Sequence, residues 1–206
     1  IRNSREGNYP SVVKHAQTCI DCGVDGITVH PRPDQRHIRP DDVRQLAALT
    51  HPLDEVEFNI EGNPFADALG SYPGLVALVQ ETQPDQCTLV PDADNQLTSD
   101  HGFDLTKQAD KLIPVIDQIK AMGVRVSLFM DPDLQQIKLA SDLGADRIVY
   151  ISCNPSTQAR DTETLQKYGY MLEKISLVDQ FPHTSHIEAV TKFVKDPNFV
   201  FVEEEN

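Results

Sequence analysis

Apolar residues recur along this chain in two alternating rhythms. Spacings of three and four run through 10–22, 40–49, 75–81, 104–122 and 133–143, and short β-forming runs stand between them at 27–29, 56–60, 87–90, 124–130 and 147–151. The first rhythm predicts amphipathic helices and the second predicts strands. In 10–22, Pro10 and Ser11 open a helix with Val12, Val13, Ala16, Cys19 and Ile20 on one face, and Gly23 stops it. In 104–122, Leu105, Ala109, Leu112, Ile113, Ile116, Ile119 and Met122 share a face. Pro40-Asp41-Asp42 starts the helix after the first strand. The order β-loop-α, repeated roughly every 20–35 residues, predicts an α/β fold with a parallel sheet and right-handed crossovers. Either a (β/α)8 barrel or an open doubly wound sheet satisfies this pattern. Two further strand-like runs, 171–179 and 187–194, close the chain.

The chemistry-bearing residues fall just after the strands. Gly26-Ile27-Thr28-Val29 runs into His30-Pro31-Arg32-Pro33-Asp34-Gln35-Arg36-His37-Ile38, where two prolines stiffen a loop bearing His30, Arg32, Arg36 and His37. An imidazole beside a guanidinium suits a phosphorylated substrate: Arg grips phosphate bidentately, and His moves protons near neutral pH. Glu61 follows Val56–Ile60, Thr98 lies in the polar loop after Cys87–Val90, and Asp131 follows 124–130. On a β/α barrel these positions share the rim that carries the active site.

A net charge of −14 argues against a general nucleic-acid surface and leaves room for a local phosphate pocket. No apolar run approaches a membrane span, and the four irregularly spaced cysteines suit a reduced cytoplasm. Cys19 and Cys22 form a CxxC with no second pair, which points to buried helix cysteines before metal or redox chemistry. The chain opens on Ile1 inside a motif, so a trimmed start is expected.

Five blocks in order, RNSREGN at the start, ITVHPRPDQRHI, FNIEG at 58–62, TLVPD and LTSDHGFD within 88–104, resemble the pyridoxine 5′-phosphate synthase family of vitamin B6 biosynthesis over residues 1 to about 148. The resemblance implies a TIM-barrel-like parallel sheet. It implies condensation of 1-deoxy-D-xylulose 5-phosphate with 3-amino-2-oxopropyl phosphate, without metal or organic cofactor, in a cytoplasmic homo-oligomer. His30 and Glu61 would be proton acceptors. Arg32, His37 and Thr98 would hold the pentulose phosphate, and Arg5 the second phosphate. Only five strands precede residue 152, whereas an eight-unit barrel needs about 250 residues, so a partial or truncated barrel is expected.

The resemblance then changes. Where the family carries a transition-state Glu after GADRI, this chain has Val149, and the family's later His and second phosphate loop are absent. RIVYISCNPSTQARD at 147–161 and VDQFPHTSHIEAV at 178–190 resemble instead the C-terminal end of the uracil-5 methyltransferases of RNA. That resemblance implies Cys153 as nucleophile, Glu188 as base, S-adenosylmethionine as cofactor and RNA as partner. Cys153 precedes Pro155, a helix-start signal, and so occupies a position where thiols are readily activated. His183, His186 and Glu188 fit a metal site or a hydrogen-bonded turn. The chain therefore reads as a mosaic of 1–148 and 149–206. Its expected function is a pyridoxine phosphate synthase-like enzyme with little activity as given; the alternatives are a methyltransferase fragment and an inactive phosphate-binding α/β chimera.

Overall fold

A computed structural model describes residues 9–93, 96, 99–145, 147–178 and 187–199. The chain divides into two compact units, Ile1–Asp131 and Pro132–Asn206.

The first unit alternates α1 (Val12–Asp21), β1 (Gly26–Val29), α2 (Pro40–Thr50), β2 (Glu57–Gly62), α3 (Leu75–Thr82), β3 (Gln86–Leu89), α4 (Leu105–Ala121) and β4 (Arg125–Leu128). Local chemistry sets the helix starts. Ser11 accepts from Lys14 N at 3.2 Å, Asp42 accepts from Arg39 N at 2.8 Å, and Asp104 accepts from Thr106 N at 3.1 Å. Gly123, at φ 81°, lets the chain leave α4 through the left-handed region.

The four strands pair in parallel in the order β1-β2-β3-β4. Side chains of β2 and β3 alternate between a buried and a more open face. Val29, Phe58, Ile60, Cys87 and Leu89 are buried, together with Val43 and Leu46 of α2, Leu78 and Val79 of α3, and Leu112 and Ile119 of α4. These residues form the core. The opposite face is polar and internally bonded. Asn59 donates to Thr28 at 3.3 Å and accepts from Thr88 at 3.1 Å; Arg125 donates to Gln86 at 3.0 Å and to Glu57 at 2.5 Å. His30 and Glu61 continue the parity of Thr28 and Asn59, so the period of two places both at the C-terminal end of this polar face.

The second unit contains α5 (Leu134–Asp142), β5 (Arg147–Ser152), α6 (Pro155–Lys167), β6 (Tyr170–Val178) and β7 (Glu188–Lys195). Its sheet has the order β5-β7-β6, with β7 antiparallel to both neighbours. This corrects the sequence expectation for 147–151. That run is a strand, but it pairs with β7 rather than adding a fifth parallel strand to the first sheet. Alternation specifies a strand and its faces; it does not specify the partner. Leu165, Tyr170 and Phe193 form the core here, with Ile137, Ile148, Tyr150 and Tyr168 packed against it. Asn154 caps α6 by accepting from Ser156 N at 3.1 Å and Thr157 N at 3.2 Å. Gln158 is buried and donates to Tyr150 O, Ala189 O and Thr191 Oγ1 at 3.0–3.1 Å, stitching α6 to β5 and β7.

Two smaller expectations are also corrected. Cys22 is exposed and Cys19 half-buried, because α1 buries only Ala16 fully. Ile113 is 41% exposed, since α4 turns a narrower face inward than its apolar count implies.

Candidate active site

The loop after β1 is held before any ligand arrives. Gln35 N donates to Arg32 O at 2.9 Å, closing a turn in which Gln35 takes φ 55°. Ser71 donates to the Gln35 side chain at 3.0 Å. Arg36 donates to Asp34 at 2.6 Å and to Gln96 O at 3.0 Å. On the neighbouring loop, a Cβ on Gly102 would collide with the backbone of Met130 and Asp131, and Gly102 N donates to Asp131 at 3.1 Å. Only glycine allows these segments to approach so closely.

Within this frame His30 and Glu61 meet. His30 Nδ1 stands 3.1 Å from Glu61 Oε1, with the side chains 19% and 26% exposed. A hydrogen bond from Nδ1–H to Glu61 leaves Nε2 as the nitrogen with a free lone pair. Arg32 reaches the same place through a third residue. Asp92, at the end of β3, accepts from Arg32 Nη2 at 2.6 Å and from Ser99 Oγ at 2.8 Å, and lies 3.8 Å from His30 Nε2. Asn63, just after β2, donates to Asp92 O at 2.8 Å. His30, Arg32, Asn63 and Asp92 line a shallow surface cleft. The arrangement can accept a proton at the imidazole and hold an anion nearby.

His37 lies on the same loop and is exposed. Partial burial of its ring, aided by the positive charges of Arg32 and Arg36, lowers its pKa below the ordinary histidine value of 6.5. His37 is therefore a neutral imidazole at neutral pH and gains a proton most readily when an anion arrives.

The structure thus brings His30, Glu61 and Arg32 together and keeps His37 within reach of the Arg32 charge. Arg5, Thr98, His183 and His186 lie outside the described residues. Asp131 braces the Gly102 loop and stands 3.7 Å from His101 Nδ1. In the second unit, Cys153 is exposed just past β5, and Glu188 opens β7. Ser152 pairs with Ala189, so Cys153 and Glu188 stand one step beyond that pair at the same end of the sheet. Cys87, by contrast, is buried on β3, and burial pushes its thiol up to about 12. Val149 is 62% exposed on β5.

Sequence reasoning missed Asp92, Ser99 and Asn63. One signal was present. Pro91-Asp92 follows a β-run just as His30-Pro31 does, with a rigid residue beside a charged one at a strand's C-terminal end.

The C-terminal rim of a parallel sheet, where these polar side chains gather, is where β/α-barrel folds carry their sites. Comparison with known families then supplies the branch. The model of the pyridoxal phosphate biosynthesis protein PdxJ family matches residues 1–196, and the chain belongs to that family. Pyridoxine 5′-phosphate synthase of Xanthomonas campestris pv. campestris (strain B100) is 57% identical over 148 residues, covering 72% of this chain and 57% of that protein. The enzyme of the same name from Xanthomonas axonopodis pv. citri (strain 306) is 58% identical over 148 residues, with 72% and 58% covered. That of Xylella fastidiosa (strain M23) is 56% identical over 148 residues, with 72% and 56% covered. The chain thus spans little more than half the length of these relatives. The family match runs on through most of the tail, whose likeness to methyltransferases rests on its sequence blocks alone.

Proposed function

We propose that the chain is a pyridoxine 5′-phosphate synthase-like enzyme of vitamin B6 synthesis, acting on 1-deoxy-D-xylulose 5-phosphate and 3-amino-2-oxopropyl phosphate. The observation that carries this reading is the 3.1 Å pairing of His30 with Glu61, beside an Arg32 held at 2.6 Å by Asp92. Joining an amine to a ketone needs a base near the attacking nitrogen and near the carbon that later loses a proton. His30 and Glu61 are suited to those transfers. Arg32, His37 and Thr98 would bind the pentulose phosphate, and Arg5 the second phosphate. The reaction calls for no cofactor on this reading, and the family likeness suggests a cytoplasmic homo-oligomer.

The same reading expects a strong substrate site with weak chemistry. On this reading Val149 stands where the family would carry a Glu. Losing one general acid or base costs about 10²–10⁴-fold in rate. Calorimetric titration with 1-deoxy-D-xylulose 5-phosphate, followed by an assay for pyridoxine 5′-phosphate, separates the two parts. Binding is expected, and Arg32→Lys should weaken it at least about tenfold, since Lys lacks the planar fork. Glu61→Gln should leave binding nearly intact and remove residual turnover. A chain that does not bind the pentulose phosphate overturns the reading.

One observation supports a second reading for the tail taken by itself, with the mosaic boundary at 148/149. The β5–β7 pairing ends at Ser152 and Ala189, which leaves Cys153 and Glu188 one residue beyond it at the same end of the sheet, in keeping with a uracil-5 methyltransferase-like nucleophile and base. The chain does not fit S-adenosylmethionine: 132–206 contain only two glycines, Gly144 and Gly169, and no glycine-rich loop. No methyl transfer is therefore assigned. Thiolate addition to carbon 6 of uracil, protonation of carbon 5 by water, removal of the original carbon 5 hydrogen by a base and expulsion of the thiolate balance without a cofactor. Release of tritium from 5-tritiated uridine in RNA, lost in both Cys153→Ala and Glu188→Gln, would establish this reading, and no release would end it.

A further inference from the structure

We propose that Asp92 is a positioning residue of the rim site, holding the Arg32 guanidinium in the orientation that receives a substrate phosphate and setting it in one frame with His30. The proposal rests on the phosphate-binding role of Arg32 given above.

Asp92 is only 5% exposed. A carboxylate taken out of water is expensive unless it is paired and hydrogen-bonded. Asp92 is satisfied lopsidedly. Oδ2 accepts from Arg32 at 2.6 Å and from Ser99 at 2.8 Å and faces His30 Nε2 at 3.8 Å, whereas Oδ1 is buried with no hydrogen-bond partner among the described residues. A group placed for stability alone would have both oxygens paired. Here one oxygen is bonded to Arg32 and Ser99 and faces the His30 ring, while the other goes without. The backbone is fixed as well, since Asn63 holds Asp92 O at 2.8 Å.

The physical benefit is preorganisation. Arg has a long flexible stem, and ordering such a side chain upon binding costs affinity. A short charge-assisted bond to a buried, anchored carboxylate settles that ordering before ligand arrives. Glu61 fixes the Nδ1 side of His30 while the Asp92 carboxylate faces its Nε2 side, so the ring and the guanidinium share a reference point. The charge of Asp92 works the other way, because a carboxylate near a phosphate repels it. Geometry and charge therefore predict opposite signs, and they can be separated.

The test uses the full chain with Asp92→Glu and Asp92→Asn. Asp92→Glu keeps the charge and displaces the carboxylate by one methylene. Asp92→Asn keeps the shape and an acceptor oxygen and removes the charge. Two readouts apply: the affinity for 1-deoxy-D-xylulose 5-phosphate by calorimetry, and the Arg32 guanidinium Nε–H signal by nitrogen-15 NMR of the free protein, assigned with Arg32→Lys. Positioning predicts a loss of about tenfold in affinity for Asp92→Glu, in line with the ordering cost of one long side chain, with a broadened or displaced guanidinium signal. It predicts affinity within about threefold of the parent for Asp92→Asn, with the signal kept. Parent-like affinity and signal in Asp92→Glu overturn the proposal. So does a tenfold gain in Asp92→Asn alone, which would make Asp92 merely a competing anion. Should Asp92→Glu fail to melt like the parent, Ser99→Ala, which releases Oδ2 from one of its two donors, must show a smaller loss in the same direction, or the proposal falls. If the parent itself binds no pentulose phosphate, the functional reading fails, while the guanidinium signal still decides whether Asp92 orders Arg32.

Discussion

The two sheets of this chain use similar strand-forming sequence in opposite ways. In the first unit, the parallel strands bury Phe58, Ile60, Cys87 and Leu89 completely on one face, and the other face is a bonded set of Thr, Asn, Gln, Glu and Arg. Among the described residues of the second unit, α5 and α6 are the helices available to a three-stranded sheet, and Val149, Ile151, Met171, Ile175 and Leu177 remain more than half exposed. The difference follows from architecture. A β/α repeat delivers one helix per strand, so cover grows with the sheet. An antiparallel hairpin such as β6–β7 adds two strands and no helix.

This contrast can be tested in descending order of effect. The largest concerns the cores. Phe58→Ala should cost near the top of the range of about 3–5 kcal/mol for buried aromatics, and Phe193→Ala near the bottom. Phe58 belongs to the larger core of fully buried side chains, which cannot close over the gap, whereas Phe193 shares a small core with Leu165 and Tyr170, bounded by the partly buried Ile137, Ile148, Tyr150 and Tyr168, which can relax. Native-state hydrogen exchange of β2 and β7 amides would measure both; equal costs would break the comparison.

Next comes Gln158, the polar stitch of the weaker unit. Gln158→Ala leaves Tyr150 O, Ala189 O and Thr191 Oγ1 without this donor, and should cost about 1–3 kcal/mol in urea unfolding. A neutral result would mean that water replaces the amide and that the second unit is looser than its hydrogen bonds imply.

A smaller effect distinguishes the units electrostatically. The folded chain holds the His37 pKa below 6.5, so the folded state binds that proton less readily than the unfolded state. Stability therefore declines as pH falls below 6.5, and the contribution is small because the group is exposed. A phosphate bound near Arg32 reverses the bias. Binding of the pentulose phosphate should take up protons near pH 6, strengthen as pH falls, and lose part of that dependence in His37→Asn. Calorimetry in buffers of different ionisation heat measures the uptake.

The smallest stability change is expected at Ile151→Lys, on the exposed face of β5. It should alter stability by no more than about 0.5 kcal/mol and reduce self-association in sedimentation, because it removes exposed apolar surface without opening a core. The same change at Leu89, fully buried on β3, should prevent folding.

Much of the first unit was legible in sequence. Helices at 10–22 and 104–122 appear within two residues of expectation, because their apolar spacing and their caps, Ser11 and Asp104, are local facts. The placing of His30, Arg32 and Glu61 at strand ends was legible for a related reason: the run of a strand fixes which side chain stands at its end and on which face. Asp92 was not legible. In the sequence it is one of many acids, and its importance depends on burial beneath Arg32 and Ser99, which lie 60 and 7 residues away. The pairing of β5 was illegible as well, since the register of Arg147–Ser152 against Ala189–Val194 depends on a strand some forty residues later.

By itself, then, the sequence determined the elements, their order, the polar and apolar faces of each strand, and the family to which the first 148 residues point. Those properties depend on spacing along the chain and on the conformational preferences of neighbouring residues. The tertiary structure alone decided that the fifth strand turns to an antiparallel partner, that α1 leaves Cys22 in solvent, and that one buried carboxylate gathers Arg32 and Ser99 and faces His30. These are matters of burial and of long-range pairing, where the free energy of a residue is set by distant neighbours rather than by the residues on either side of it.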